Sequence, residues 1–169
     1  AFIIYLRHVA LGVINSNSSN MDNGTKKMPA EWGLSEDAKK HFVRWEGFRN
    51  KAYTDSGDLW TIGIGHLIKP GESYLKSTTL SDSQIWTMFF KDIQIAKNTV
   101  KKLIKVPITQ GLYGALVSLA FNTGTLYNSI VSLVEKDDYA ALAKKWRNTA
   151  VTVKKGTVDR KSTRLNSSH

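Results

Sequence analysis

Two carboxyl residues and one hydroxyl are spaced so that they could share a reaction: Glu46, Asp55 nine residues on, and Thr61 six residues beyond that. Glu46 follows Phe42 by four residues, which on a helix sets it at the border of the apolar face. It also falls in the last turn, where the negative end of the helix dipole meets it. Both surroundings disfavour the carboxylate and favour the protonated acid, the form a proton donor needs. Asp55 sits in the polar run Thr54-Asp55-Ser56-Gly57-Asp58, where turn groups and water keep a carboxyl ionised. The hydroxyl of Thr61 could hold a water molecule against Asp55. A protonated carboxyl and an ionised one facing an open polar groove are the pair that hydrolysis of a glycosidic bond requires. Taken singly, the same residues also read as a surface Glu at a helix end and a turn-forming Asp of a hairpin.

The elements that must position these groups can be read on either side of them. Ser35 is a suitable N-cap, Glu36 and Asp37 fill the first turn, and Ala38, Phe42 and Trp45 recur at i, i+4 and i+7. This pattern predicts an amphipathic helix ending near Gly47. Residues 52–66, AYTDSGDLWTIGIGH, predict a β-hairpin: a short strand around Tyr53, a Gly-containing turn, and a second strand from Trp60 to Ile64. Period 2 puts Trp60, Ile62 and Ile64 on one face and Thr61, Gly63 and Gly65 on the other. Two glycines beside a threonine leave that second face nearly bare, so something approaches the backbone closely there, a ligand or the end of a helix.

Helical periodicity governs the rest. Ser81 caps a predicted helix of about six turns, with Ile85, Phe89, Ile93, Ala96, Val100 and Leu103 along one stripe and Asp92 beside it. Pro107 stops it. Thr109 caps another helix carrying Leu112, Ala115, Leu116, Leu119 and Ala120, closed by Asn122-Thr123-Gly124, and two shorter helices are predicted around 129–135 and 138–147. The fold class is α+β, a small hairpin lobe followed by a larger helical lobe.

A chain of 169 residues with 41% hydrophobic content suits one globular domain with a core of its own. It contains no cysteine, which excludes a disulfide framework, thiol catalysis and a Cys-type zinc finger, and its four histidines show no ligand spacing. The apolar run 2–14 is broken by Arg7 and His8 and falls short of the roughly 18 residues a membrane span requires. With the polar stretch 15–27 behind it as a linker, the run reads as a weak export signal or anchor, against which stand Arg7 and the absent initiator Met. The expected organisation is therefore an N-terminal segment with linker (1–33), a domain over 34–160, and a disordered, non-native tail (161–169) that looks like vector or adapter read-through. The net charge of +10 divides as +1 over residues 1–33, +6 over 34–159 and +3 over the last ten. A basic surface of this kind attracts polyanions in general. The aromatics read as core and no basic stripe is apparent, so no specific nucleic-acid partner is expected. A non-catalytic wall-binding or membrane-perturbing protein is the alternative that charge and N-terminus support. It has no need of Glu46, Asp55 and Thr61 together.

Several ordered motifs resemble one known family. Glu46-Gly47-Phe48-Arg49, Ala52-Tyr53-Thr54-Asp55 and Trp60-Thr61-Ile62-Gly63-Ile64-Gly65-His66 resemble the signature of phage-type lysozymes (endolysins, glycoside hydrolase family 24), with the family's spacing from Glu to Asp to Thr. LSDSQIWTMFFKDIQIAKNTV looks like the helix joining the two lobes, and TQGLYGALVSLAFNTG like the helix whose end lines the cleft. Trp146 and Gly156-Thr157-Val158-Asp159-Arg160 resemble the start of the closing motif.

The resemblance implies a lysozyme-like fold with an active-site cleft between the lobes. It also implies cleavage of the β-1,4 bond between N-acetylmuramic acid and N-acetylglucosamine in peptidoglycan. Glu46 would protonate the leaving oxygen while Asp55 and Thr61 position the attacking water in a single inverting displacement. Leu67, Phe121 and Asn122 match substrate-binding positions, although Phe121 also reads as core and Asn122 as a helix C-cap. Arg160 matches the residue that pairs with the catalytic Glu and steadies it, a pairing that would oppose the preference for the protonated acid argued above and leave the net direction open, and His66 matches a structural position. The family needs no cofactor and no metal. Its members act on the cell wall in the periplasm after synthesis in the cytoplasm of a phage-infected or prophage-carrying bacterium, which implies glycan strands as partner and a monomer as the working state. Membrane contact is expected of residues 2–14. Family members usually continue past the Arg with a second Arg and an apolar-faced terminal helix, whereas here Lys161 leads into the odd tail. Loss of that helix would uncover apolar surface at about 25 cal/mol per Å².

Overall fold

The computed structural model describes residues 24–54 and 58–145. Asp55, Arg160, the apolar run 2–14, the closing motif from Trp146 and the tail 161–169 lie outside the described residues.

Helix α1, Glu36–Glu46, starts where Ser35 caps it: the Ser35 side chain accepts from the Ala38 N–H at 3.1 Å. It ends where Gly47 turns away at φ 80°. Strand β1 (Arg49–Thr54) runs antiparallel to β2 (Trp60–Gly63), with Tyr53 opposite Thr61 and Thr54 opposite Trp60. The hairpin expected from the sequence is extended by a third strand, β3 (His66–Leu67), antiparallel to β2, which makes β2 the central strand. Two residues are too short a run for periodicity to reveal.

Helix α2, Asp82–Leu103, opens on a capping box in which Ser81 and Gln84 satisfy each other's backbone N–H groups. Its buried stripe is Ile85, Phe89, Ile93, Ala96 and Val100. It stops at Leu103, four residues before Pro107, and Leu103 itself is half-buried. Helix α3, Gln110–Thr123, is capped by Thr109 and closed by Gly124. The sequence pattern suggested one apolar stripe here. Instead every residue from Leu112 to Asn122 is buried, in keeping with a stretch that contains no charged residue. Thus α3 is the axis of the helical lobe, with α2 packed along it. Helix α4 (Asn128–Glu135) and a further helical stretch, residues 139–145, complete the described chain. Asp138 caps that stretch by accepting from the Ala141 N–H at 3.1 Å.

At the centre of the core, Phe42 of α1 meets Phe89 of α2 and Phe121 of α3 edge-on, with ring centroids 5.3 and 5.2 Å away. Three helices are thereby held at one point.

The packed domain begins earlier than Leu34. Lys27 forms an isolated antiparallel bridge with Ile108, Pro29 is buried in a short 3₁₀ turn (Pro29–Glu31), and the Trp32 indole N–H donates to the Ile108 carbonyl at 2.7 Å. Lys26 pairs with Asp137 at 2.9 Å. Polar composition favoured a linker up to Lys27, but contacts with sequence-distant residues decide where a domain starts.

Candidate active site

Glu46 is the last residue of α1. The chain reverses at Gly47 to start β1, and β2 returns it so that the turn between β2 and β3 passes directly over the helix end. The contact is close: a Cβ added to Gly65 would lie 2.6 Å from Glu46 Oε2 and 3.0 Å from Glu46 Cβ. Gly65 also has φ +68°, so both its conformation and its lack of a side chain are needed. The sequence pattern anticipated a close approach to this backbone, and the helix end supplies it. Gly63 on the same face meets Ile85 and Met88 of α2, 3.5 and 3.7 Å from an added Cβ.

Glu46 is half-buried and its Oε1 is shut off from solvent without a hydrogen-bond partner. Among the described residues no cation stands within ion-pair distance of it.

Thr61 lies in the middle of the sheet, between Tyr53 of β1 and Leu67 of β3, and is fully buried. The sequence reading placed it on a nearly bare face opening to a groove. In fact the whole run 61–67 is buried, because β3 flanks the strand on one side and α2 covers Gly63. Asp55 lies outside the described residues, yet its neighbours are fixed. Thr54, which ends β1, pairs with Trp60. Arg160 also lies outside the described residues.

The remaining expected residues are all buried, and Leu67 is the β3 partner of Thr61. Leu67 is buried in β3. Phe121 is 4% exposed in the aromatic cluster, the core alternative weighed from its sequence. Asn122 is buried, with its side-chain N–H donating to the Ser118 carbonyl at 2.9 Å, and Gly124 rather than Asn122 caps the helix.

His66 is structural in a way its spacing did not reveal. Its Nδ1 faces Asp92 Oδ2 of α2 at 2.7 Å and its Nε2 faces Glu72 Oε2 at 3.1 Å. Burial opposes charge on the ring, but Asp92 and then Glu72 outweigh it and raise the His66 pKa above 6.5. Burial likewise works against the Glu72 carboxylate, but the Lys69 backbone N–H and His66 lower its pKa below 4.5. The three side chains tie β3 to α2 directly beside Gly65. Asp92 was legible as a polar residue beside the apolar stripe; Glu72 carried no signal in the sequence.

Residues 43–164 match the family described as phage lysozyme. The chain is 36% identical over 92 residues to the endolysin of Salmonella phage P22, an alignment covering 54% of this chain and 63% of that protein. It is 30% identical over 128 residues to the endolysin of Acyrthosiphon pisum secondary endosymbiont phage 1, covering 72% of this chain and 85% of that one. In structure it is similar to a mutant of P22 lysozyme, at 30% identity and a TM-score of 0.56, over 67% of this chain and 80% of the other. Fold and site together define a lysozyme-like protein of two lobes, with a carboxyl at their junction. This chain belongs to the phage lysozyme family.

Proposed function

We propose that this protein is an endolysin that hydrolyses the β-1,4 bond between N-acetylmuramic acid and N-acetylglucosamine in peptidoglycan, and so lyses the host cell. Glu46 donates the proton to the leaving oxygen. Asp55 and Thr61 hold the water that attacks the anomeric carbon from the opposite face, and Arg160 steadies Glu46; Leu67, Phe121 and Asn122, all buried, shape the glycan-binding side of the cleft from behind its surface. The observation that carries this reading is the Glu46 carboxyl at the end of α1, with Oε1 buried and unpartnered and the side chain against Gly65. A general acid contributes typically about 10² to 10⁴ in rate.

The enzyme acts as a monomer on glycan strands in the periplasm, its catalytic domain ends near Arg160, and residues 2–14 contact the membrane. Reduction of digested sacculi with borohydride tests the bond assignment. The proposal expects N-acetylmuramitol at the new ends; N-acetylglucosaminitol would mean that the other glycosidic bond is cut.

A further inference from the structure

Folding gathers a basic and apolar face that the linear charge pattern did not display. Between Thr87 and Lys105 the chain holds five lysines, at 91, 97, 101, 102 and 105, and one acid, Asp92. Asp92 is turned to His66. Lys91, Lys101, Lys102 and Lys105 are exposed, and none meets a carboxylate among the described residues. At the helical repeat, Lys91 and Lys102 fall on one line of the outer face of α2, with Ile95 on one side of it and Phe90 and Lys101 on the other. Ile95 is 64% exposed and Phe90 is 49% exposed. Phe90 stacks on Trp86 with ring centroids 5.9 Å apart, and Phe90, Lys91 and Ile95 line an open depression with Thr87, Gln94 and Asn98. The opposite face of the helix supplies the core, so neither Phe90 nor Ile95 is required there. One exposed apolar residue needs no explanation, but two of them set among unpaired lysines form the pattern of a helix that lies in a membrane interface.

We infer that the outer face of α2 docks on an anionic lipid surface. Lys91, Lys101 and Lys102 meet lipid phosphates, while Phe90 and Ile95 enter the headgroup layer. A polyanion of the wall would satisfy the lysines but leave the two apolar side chains without a partner, and lipid satisfies both. The net charge of +10 adds long-range attraction to such a surface. This docking does not depend on the hydrolytic reading.

The full chain has no cysteine, so Ile95→Cys gives a single labelling site for an environment-sensitive fluorophore. Lys136→Cys, in the exposed turn after α4, gives a control site. With vesicles of equimolar phosphatidylglycerol and phosphatidylcholine, the label at 95 should shift to the blue and be quenched by headgroup-level nitroxide lipid, and the label at 136 should not. Phosphatidylcholine alone should have no effect. The triple change Lys91→Gln, Lys101→Gln and Lys102→Gln should weaken vesicle binding on the order of 100-fold at low salt without altering circular dichroism. Absence of binding, or binding with the label at 95 unshifted, overturns the inference. So does an equal shift with soluble polyphosphate, which would assign this face to a wall polyanion.

Discussion

Gly65 and Glu46 are in mutual contact: the position of an absent Cβ on Gly65 lies 2.6 Å from the Oε2 of Glu46. A strand turn is thereby fitted to a helix end, and the carboxyl has no room to move toward β3. Gly65→Ala should therefore act on both stability and rate. The left-handed backbone and the clash should lower unfolding free energy by about 1 to 3 kcal/mol. Displacement of the carboxyl should lower kcat on the order of 100-fold. Urea unfolding and initial rates on purified peptidoglycan measure the two, and a variant with parental rates would show that this contact does not hold the carboxyl.

Thr61→Val keeps the branched shape within the central strand and removes the hydroxyl. If Thr61 holds the attacking water, kcat should fall on the order of 10² or more while circular dichroism stays parental. Normal turnover by the folded variant would remove Thr61 from the chemistry.

The His66 cluster predicts a specific pH dependence. His66 is raised above 6.5, so its stabilisation is fully present below that value and is lost as pH rises through the folded pKa. Glu72 is lowered below 4.5, so its share is present above that value and is lost as pH falls through the folded pKa. Together they stabilise most between about pH 4.5 and 6.5. Thermal unfolding of the parent and of Asp92→Asn should differ most in this window, and the gap should narrow at higher pH as His66 loses its proton in the parent. An equal gap at pH 5 and pH 9 would mean that the His66 charge contributes nothing.

Much of this arrangement was legible before the structure because it depends on local rules. Ser35, Ser81 and Thr109 cap helices as their type and position require, and the apolar stripe of α2 follows its period. Gly63 and Gly65 announced a close approach, which Glu46 makes at Gly65 and Ile85 and Met88 make at Gly63. What was hidden depends on distant contacts. Strand β3 is too short to show a pattern, Glu72 becomes a partner only once β3 is laid beside α2, and the burial of α3 on all sides follows from its central place in the lobe. Lysines spaced at 91, 101 and 102 became one face only on a helix whose other side was filled.

The start of the domain is another such contact. Deletion through residue 33 removes Trp32 with its bond to Ile108 and Lys26 with its pair Asp137, whereas deletion through residue 23 keeps both. The longer deletion should therefore unfold several degrees lower than the shorter one, by the few kcal/mol that buried aromatic packing contributes. Equal melting temperatures would return residues 24–33 to the linker.

The central claim is that Glu46 is the proton donor of a peptidoglycan hydrolase. The most direct measurement compares release of soluble muropeptides from purified peptidoglycan by the parent and by Glu46→Gln, with circular dichroism confirming that both are folded. The account predicts new reducing ends from the parent and a rate reduced by at least about 100-fold in the variant. Comparable release by both would contradict the role of Glu46, and no release by either folded protein would point to wall binding without catalysis.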